Sequence, residues 1–209
     1  QMKYKIISVE KNEAAKTISG LIDAIARRIH GFESIDIEIG TLQNSDSTPA
    51  MIEAAMKNVI LYAKTPETIE AAMKGVVLYA YYPAMIEAAM KSVILYAKTP
   101  ETIEAAMKGV ISYATNNQIK AAMKGVVENT DDPETIEVAM TSVILYANNS
   151  AKIEAALNVC KSFLEKLSLE FWKKLIATLV KSPKMNQDLG GFLNGLPDDE
   201  VKKGIFSQL

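Results

Sequence analysis

The chain has one cysteine, Cys160, one histidine, His30, and one tryptophan. A single thiol rules out an internal disulfide framework and fits a reducing compartment. A lone imidazole leaves any catalytic or metal role for His30 without visible partners, and Cys160 stands in no recognisable nucleophile motif. No apolar run approaches the roughly 18 residues that a membrane span needs. Charge of one sign is missing too: 23 basic residues face 25 acidic ones, for a formal charge of −2. No segment is strongly basic, which argues against a general nucleic-acid binder. Gly190-Gly191 lacks the preceding strand and the following Lys-Ser/Thr of a phosphate loop. No carboxylate pair stands out. The expectation is therefore no catalytic residue, no metal and no cofactor, in a soluble, cytoplasmic protein with no membrane partner.

What is present is repetition. Equivalent isoleucines fall at Ile52, Ile69, Ile86, Ile103, Ile119, Ile136 and Ile153, with spacings of 17, 17, 17, 16, 17 and 17. Pro49, Pro66, Pro83, Pro100 and Pro133 open closely similar units. Internal repeats decide architecture before any other argument. At 100° per residue, Ile52, Ala55, Met56, Val59, Tyr62 and Ala63 cluster on one face, while Glu53, Lys57 and Lys64 fall on the other. The unit is an amphipathic helix. Glu53/Lys57, Glu70/Lys74, Glu87/Lys91 and Glu104/Lys108 stand four apart with the acid first, the favourable order for a surface pair within one helix.

One continuous helix is excluded. Proline inside it would cost about 3 kcal/mol at each unit, and a seventeen-residue period turns the apolar stripe by about 100° per unit. Thr48-Pro49, Thr65-Pro66 and Thr99-Pro100 read instead as N-cap and first helical residue. Each unit is one helix of about 13 residues, and short turns make neighbours antiparallel. Gly75 and Gly109 alternate with the small polar Asn58, Ser92 and Ser142, which suggests close helix approach. Two units form a 34-residue hairpin, and stacked hairpins form an α-solenoid.

Over roughly residues 49–165 this period and helix pairing resemble the architecture of tetratricopeptide and HEAT-type repeat proteins. The Trp and Leu-Gly-x-x-Tyr positions of the tetratricopeptide signature are absent, so no specific family is assigned. The resemblance implies binding of other proteins.

The ends differ from the middle. Tyr4–Val9 and the alternating Ile35–Ile39 read as strands flanking a helix that begins at Asn12 and ends at Gly31. This predicts a β-α-β unit and a possible homodimer through its strands, because two strands alone are marginal in water. Helices are expected near 169–181 and 184–193, and from Pro197. The expected organisation is a β-α-β unit over 1–47, a helical repeat array over 48–165 and a C-terminal helical cap over 166–209, mainly α overall.

The fifth unit breaks the pattern. It lacks one residue and its proline; Lys120 stands where others have Glu, and Glu128, Asn129 and Thr130 replace Leu, Tyr and Ala. Ser112 replaces a leucine in the unit before. A polar break in a uniform array is a candidate partner notch. Tyr79 and Tyr113 belong to a tyrosine ladder at the border of the apolar face, and Tyr81-Tyr82 falls in a turn. Tyrosine is favoured at interfaces. The candidate partner-binding set is Tyr79, Tyr81, Tyr82, Tyr113, Lys120, Glu128 and Asn129. The recurring methionines read as core and the lysine ladder as a neutralised face. The expected function is a non-enzymatic scaffold or adaptor for a protein partner. The alternative is an enzyme or small-ligand binder with a pocket between the N-terminal unit and the repeats.

Overall fold

The computed structural model describes residues 36–183, apart from 64, 98 and 164–166. Contacts divide the chain into Gln1–Asp36 and Ile37–Leu209. All regular structure among the described residues is helical. The helices are α1 (Asp36–Leu42), α2 (Pro49–Tyr62), α3 (Pro66–Gly75), α4 (Pro83–Tyr96), α5 (Pro100–Ile111), α6 (Asn116–Val127), α7 (Pro133–Tyr146), α8 (Ser150–Lys161) and α9 (Leu169–Val180). None of them is long and apolar enough to cross a membrane.

Local chemistry sets the helix starts. Thr48, Asp132, Asn149 and Ser168 each accept a backbone N–H of the first turn, which satisfies a donor that the helix itself leaves open. Thr65 and Thr99 occupy the N-cap position without making that bond; there proline at the first position supplies the pre-set φ. The proline-less α6 has a capping box instead. Thr115 Oγ1 accepts from the Gln118 backbone N–H, and Gln118 Oε1 accepts from the Thr115 N–H at 2.8 Å.

Each repeat helix rests chiefly on the helix two along, less on its sequence neighbour. The result is two rows: α2, α4, α6 and α8 in row one, and α3, α5, α7 and α9 in row two. Helices within a row run parallel. In row one Glu53 meets Lys91 and, a turn further on, Lys57 meets Tyr96. In row two Glu70 meets Lys108 and Lys74 meets Tyr113. With only a few residues between helices, each helix must run back against its sequence neighbour.

The core repeats with the units. Met56, Met73, Met90, Met107, Met123, Met140 and Leu157 are fully buried, as are Val59, Val76, Val93, Val110, Val126, Val143 and Cys160. Each large apolar side chain so buried contributes about 1.5–3 kcal/mol. Position ten of the unit controls how closely a row packs. A methyl group on Gly109 would lie 2.3 Å from the Glu70 carbonyl oxygen, and one on Gly125 would lie 2.7 Å from that of Glu87. Ser92 at the equivalent place donates to the Glu53 carbonyl at 2.7 Å.

Two expectations are corrected. Residues of the alternating stretch Ile35–Ile39 are helical from Asp36 onward, in α1. Glu38 and Leu42, four apart, are both buried, and Asn58 of α2 donates to Glu38 Oε1 at 3.2 Å. The alternation that would favour a strand is thus overridden by tertiary context, in which Glu38 is buried and tied to α2 by that hydrogen bond. The expected second strand of the β-α-β unit is therefore helical from Asp36. The unit's first strand and its helix lie outside the described residues, as do the expected helices after α9. The Glu–Lys pairs are the second correction. Glu53, Glu70 and Glu87 join Lys91, Lys108 and Lys124, at 2.9, 3.0 and 3.1 Å, on the helix two along rather than the lysine four residues on.

Candidate functional site

The ion pairs just described form a ladder along each row. The glutamate at position five of one helix meets the lysine at position nine of the next helix in the row. Each rung is half-open to solvent, so each alone contributes little to stability, but together they neutralise the charge along the rows. The ladder is interrupted in both rows, and a groove lies at each interruption.

In row one the interruption is the fifth unit. Continuing the ladder past Glu87–Lys124 would pair position 120 with position 158. These are Lys120 and Asn158, so the carboxylate has become an ammonium and the ammonium a neutral amide. A groove of about 570 Å³ crosses α4, α6 and α8 here. Lys120, Asn117 and Asn158 supply its polar groups, and Pro83, Val159 and Phe163 supply apolar surface. Lys124 also borders it, but its ammonium lies 3.1 Å from Glu87 Oε1 and 3.8 Å from Glu128 Oε1. The hydrogen bond to Glu87, then that carboxylate's charge, holds the Lys124 pKa above the ordinary lysine value. Lys120 is exposed and has no such partner among the described residues.

The fifth-unit candidates therefore take different parts. Lys120 lines the groove. Glu128 caps α6 and approaches Lys124. Asn129 is half-buried and donates to the Gly125 carbonyl at 2.9 Å, closing the end of α6. Tyr82 immediately precedes Pro83 at the groove margin. Its ring stacks on Tyr81 with centroids 4.3 Å apart, and the two hydroxyls are 3.0 Å apart. That hydrogen bond raises the Tyr81 pKa.

Tyr81 itself is held in a left-handed conformation, φ 36°, after a π-helical turn at Val76–Ala80. A non-glycine residue there is strained and persists only when its surroundings determine it. Gln118 does so, donating from Nε2 to the Tyr81 carbonyl at 2.8 Å. The side chain that closes the α6 capping box therefore also ties α6 to the strained turn. Lys152, at the same unit position in α8, donates in the same way to the Ile111 carbonyl at 2.8 Å. Burial lowers its pKa.

Tyr79 and Tyr113 belong to row two, apart from Lys120. Lys74 lies over the Tyr113 ring at 4.4 Å from its centroid. Its pKa is raised first by the hydrogen bond to the Tyr113 hydroxyl, with a smaller contribution from Tyr79. Further along the row lies a second groove, of about 360 Å³, that sequence reasoning missed. Glu101, Glu104, Glu134 and Glu137 line it, with Lys174 paired to Glu137 at 3.4 Å. Its signal was Thr141, which replaces the lysine that would complete the ladder to Glu104. Glu104 instead accepts from the Tyr146 hydroxyl at 2.6 Å, which raises the Tyr146 pKa.

No group of three or more His, Cys, Asp or Glu side chains among the described residues could hold a metal ion. Cys160 is buried, and burial pushes its thiol pKa up to about 12. His30, and the N-terminal side of the pocket expected in the alternative reading, lie outside the described residues. No protein-family model matches the chain, and comparisons with curated proteins and with solved structures return no match.

Proposed function

We propose that the repeat array is an α-solenoid that acts as a non-enzymatic scaffold, holding a protein partner across the outer face of row one. The observation that carries this reading is the groove at Lys120. It coincides with the one unit whose sequence departs most from the repeat, and it combines an ammonium unpaired among the described residues, two amides and apolar surface. Binding sites between proteins combine such polar groups with apolar anchors. The solenoid reading is supported by the parallel stacking of every second helix, since helical-hairpin arrays bury their cores against neighbouring repeats. The exposed Tyr81-Tyr82 pair at the groove margin offers rigid aromatic contact area.

The test is recovery of tagged protein from its native cell extract after nuclease treatment, followed by reconstitution with any purified partner. The expected result is a defined complex in which hydrogen exchange slows in α4, α6 and α8. Recovery without a stoichiometric protein, or with a tightly retained small molecule instead, would overturn the scaffold reading.

A further inference from the structure

The scaffold reading leaves the partner's chemistry open, and the inference here rests on that reading. We infer that the row-one groove accepts an acidic segment of a protein partner, with a side-chain carboxylate of that segment on Lys120. The chain itself displays how a carboxylate and a lysine meet on this face: Glu53 with Lys91, then Glu87 with Lys124, at 2.9 and 3.1 Å. At the next rung the corresponding positions are Lys120 and Asn158, which line the same groove. The ladder thus offers a cation where every earlier rung holds a neutral pair. An incoming carboxylate gives Lys120 what Glu53 gives Lys91.

The surroundings favour a peptide over a polyanion. Asn117 and Asn158 each carry an amide that can both donate to and accept from peptide backbone. Pro83 and Phe163 offer surface to an apolar side chain next to the acid. Lys124 is already satisfied by Glu87 and Glu128, so among the described residues Lys120 is the groove's one lysine without a carboxylate partner. A nucleic-acid strand places a negative charge at every nucleotide and gains affinity by releasing many counterions. One such ammonium, in a groove whose other lysine is already paired with Glu87, cannot supply that, whereas it matches a single acidic side chain.

The experiment is selection from a randomised twelve-residue peptide display library against the full chain. It is run in parallel with Lys120→Glu, Lys120→Arg and Asn158→Asp. Lys120 and Asn158 are on the surface, so circular dichroism and melting should match the parent chain. Parent and Lys120→Arg proteins should enrich peptides carrying Asp or Glu beside an apolar residue. Lys120→Glu should bind those peptides about tenfold more weakly or worse, as expected when an attraction becomes a repulsion across an interface. Asn158→Asp, which provides Lys120 with a carboxylate of its own, should weaken them about threefold or more. Binders without acidic enrichment, or acidic binders indifferent to both charge changes, would overturn the groove inference and leave the scaffold reading in place. A library that yields no binder, together with no partner from the native extract, would remove both.

Discussion

Gly109 has no room for a methyl group, because the Glu70 carbonyl oxygen would lie 2.3 Å from it and backbone cannot swing aside. Alanine favours helix over glycine by about 1 kcal/mol, but overpacking costs about 1–3 kcal/mol, and here the second effect wins. Gly109→Ala should lower unfolding stability in urea by about 1–2 kcal/mol. Gly75→Ala should be nearly neutral or slightly stabilising, because its new methyl meets only the Gln43 side chain, at 3.1 Å. Equal losses at the two sites would refute this account of row packing. Cys160 gives a second test at this scale. A fully buried thiol with its pKa pushed up to about 12 holds almost no thiolate at neutral pH, and the thiolate is the reactive form. A thiol reagent should modify it only as fast as the fold opens, and at once in denaturant. Much at this scale was legible beforehand: the methionines and the position-eleven valines read as core from their spacing alone. The glutamate–lysine partners did not. A lysine four residues on and a lysine two units further along share one helical position, and only the offset of parallel helices selects the second.

At the scale of the element, helix ends are closed by side chains from other helices. Gln118 and Lys152 reach back across the array to the carbonyls of Tyr81 and Ile111. The Lys152 contact carries a pH dependence. Burial lowers its folded pKa below the ordinary value of 10.5. The cost of holding the charged form is therefore fully present below the folded pKa. It is relieved as pH rises from the folded pKa towards 10.5, where the unfolded chain holds more protons. Measured by urea unfolding at a series of pH values, the stability difference between parent and Lys152→Met should move in the parent's favour as pH rises from 7 towards 10. A difference flat in pH would mean that the Lys152 ammonium is not desolvated. Helix starts were readable from Thr-Pro pairs and capping residues, whereas these cross-array closures were not. They join residues 37 and 41 apart in sequence, and no local pattern records such a distance. Helix α1 was misread for a related reason, since the alternation of its isoleucines is local, whereas the Asn58–Glu38 contact that ties it to α2 spans 20 residues.

At the scale of the whole array, each helix leans on the helix two along more than on its sequence neighbour. Disturbance should then travel along a row. In Gly109→Ala, amide exchange should quicken in α3, α5 and α7 before it does in α4 and α6. Equal quickening in both rows would mean that the array opens as one unit rather than through nearest-neighbour contacts. The candidate sites obey the same logic. Lys120 could be picked out because it breaks a repeat, but its companions Asn117, Asn158, Pro83 and Phe163 come from three different helices. The acidic groove of row two went unseen, although Thr141 marked it, because an isolated Lys-to-Thr change means little until the missing rung is known.

The period, the helical character of each unit, the core positions and the helix boundaries were determined by the sequence itself. Each of these depends on residues within a few turns of one another, where proline, capping groups and a 3.6-residue repeat act directly. The row partnership of the helices, the glutamate partners of Lys91, Lys108 and Lys124, the strained turn at Tyr81 and the two grooves were decided only by the tertiary structure. They arise from contacts between units some 34 residues apart, and near-identical units offer each lysine several chemically equivalent glutamates. Only the stagger between parallel helices makes one of them the partner.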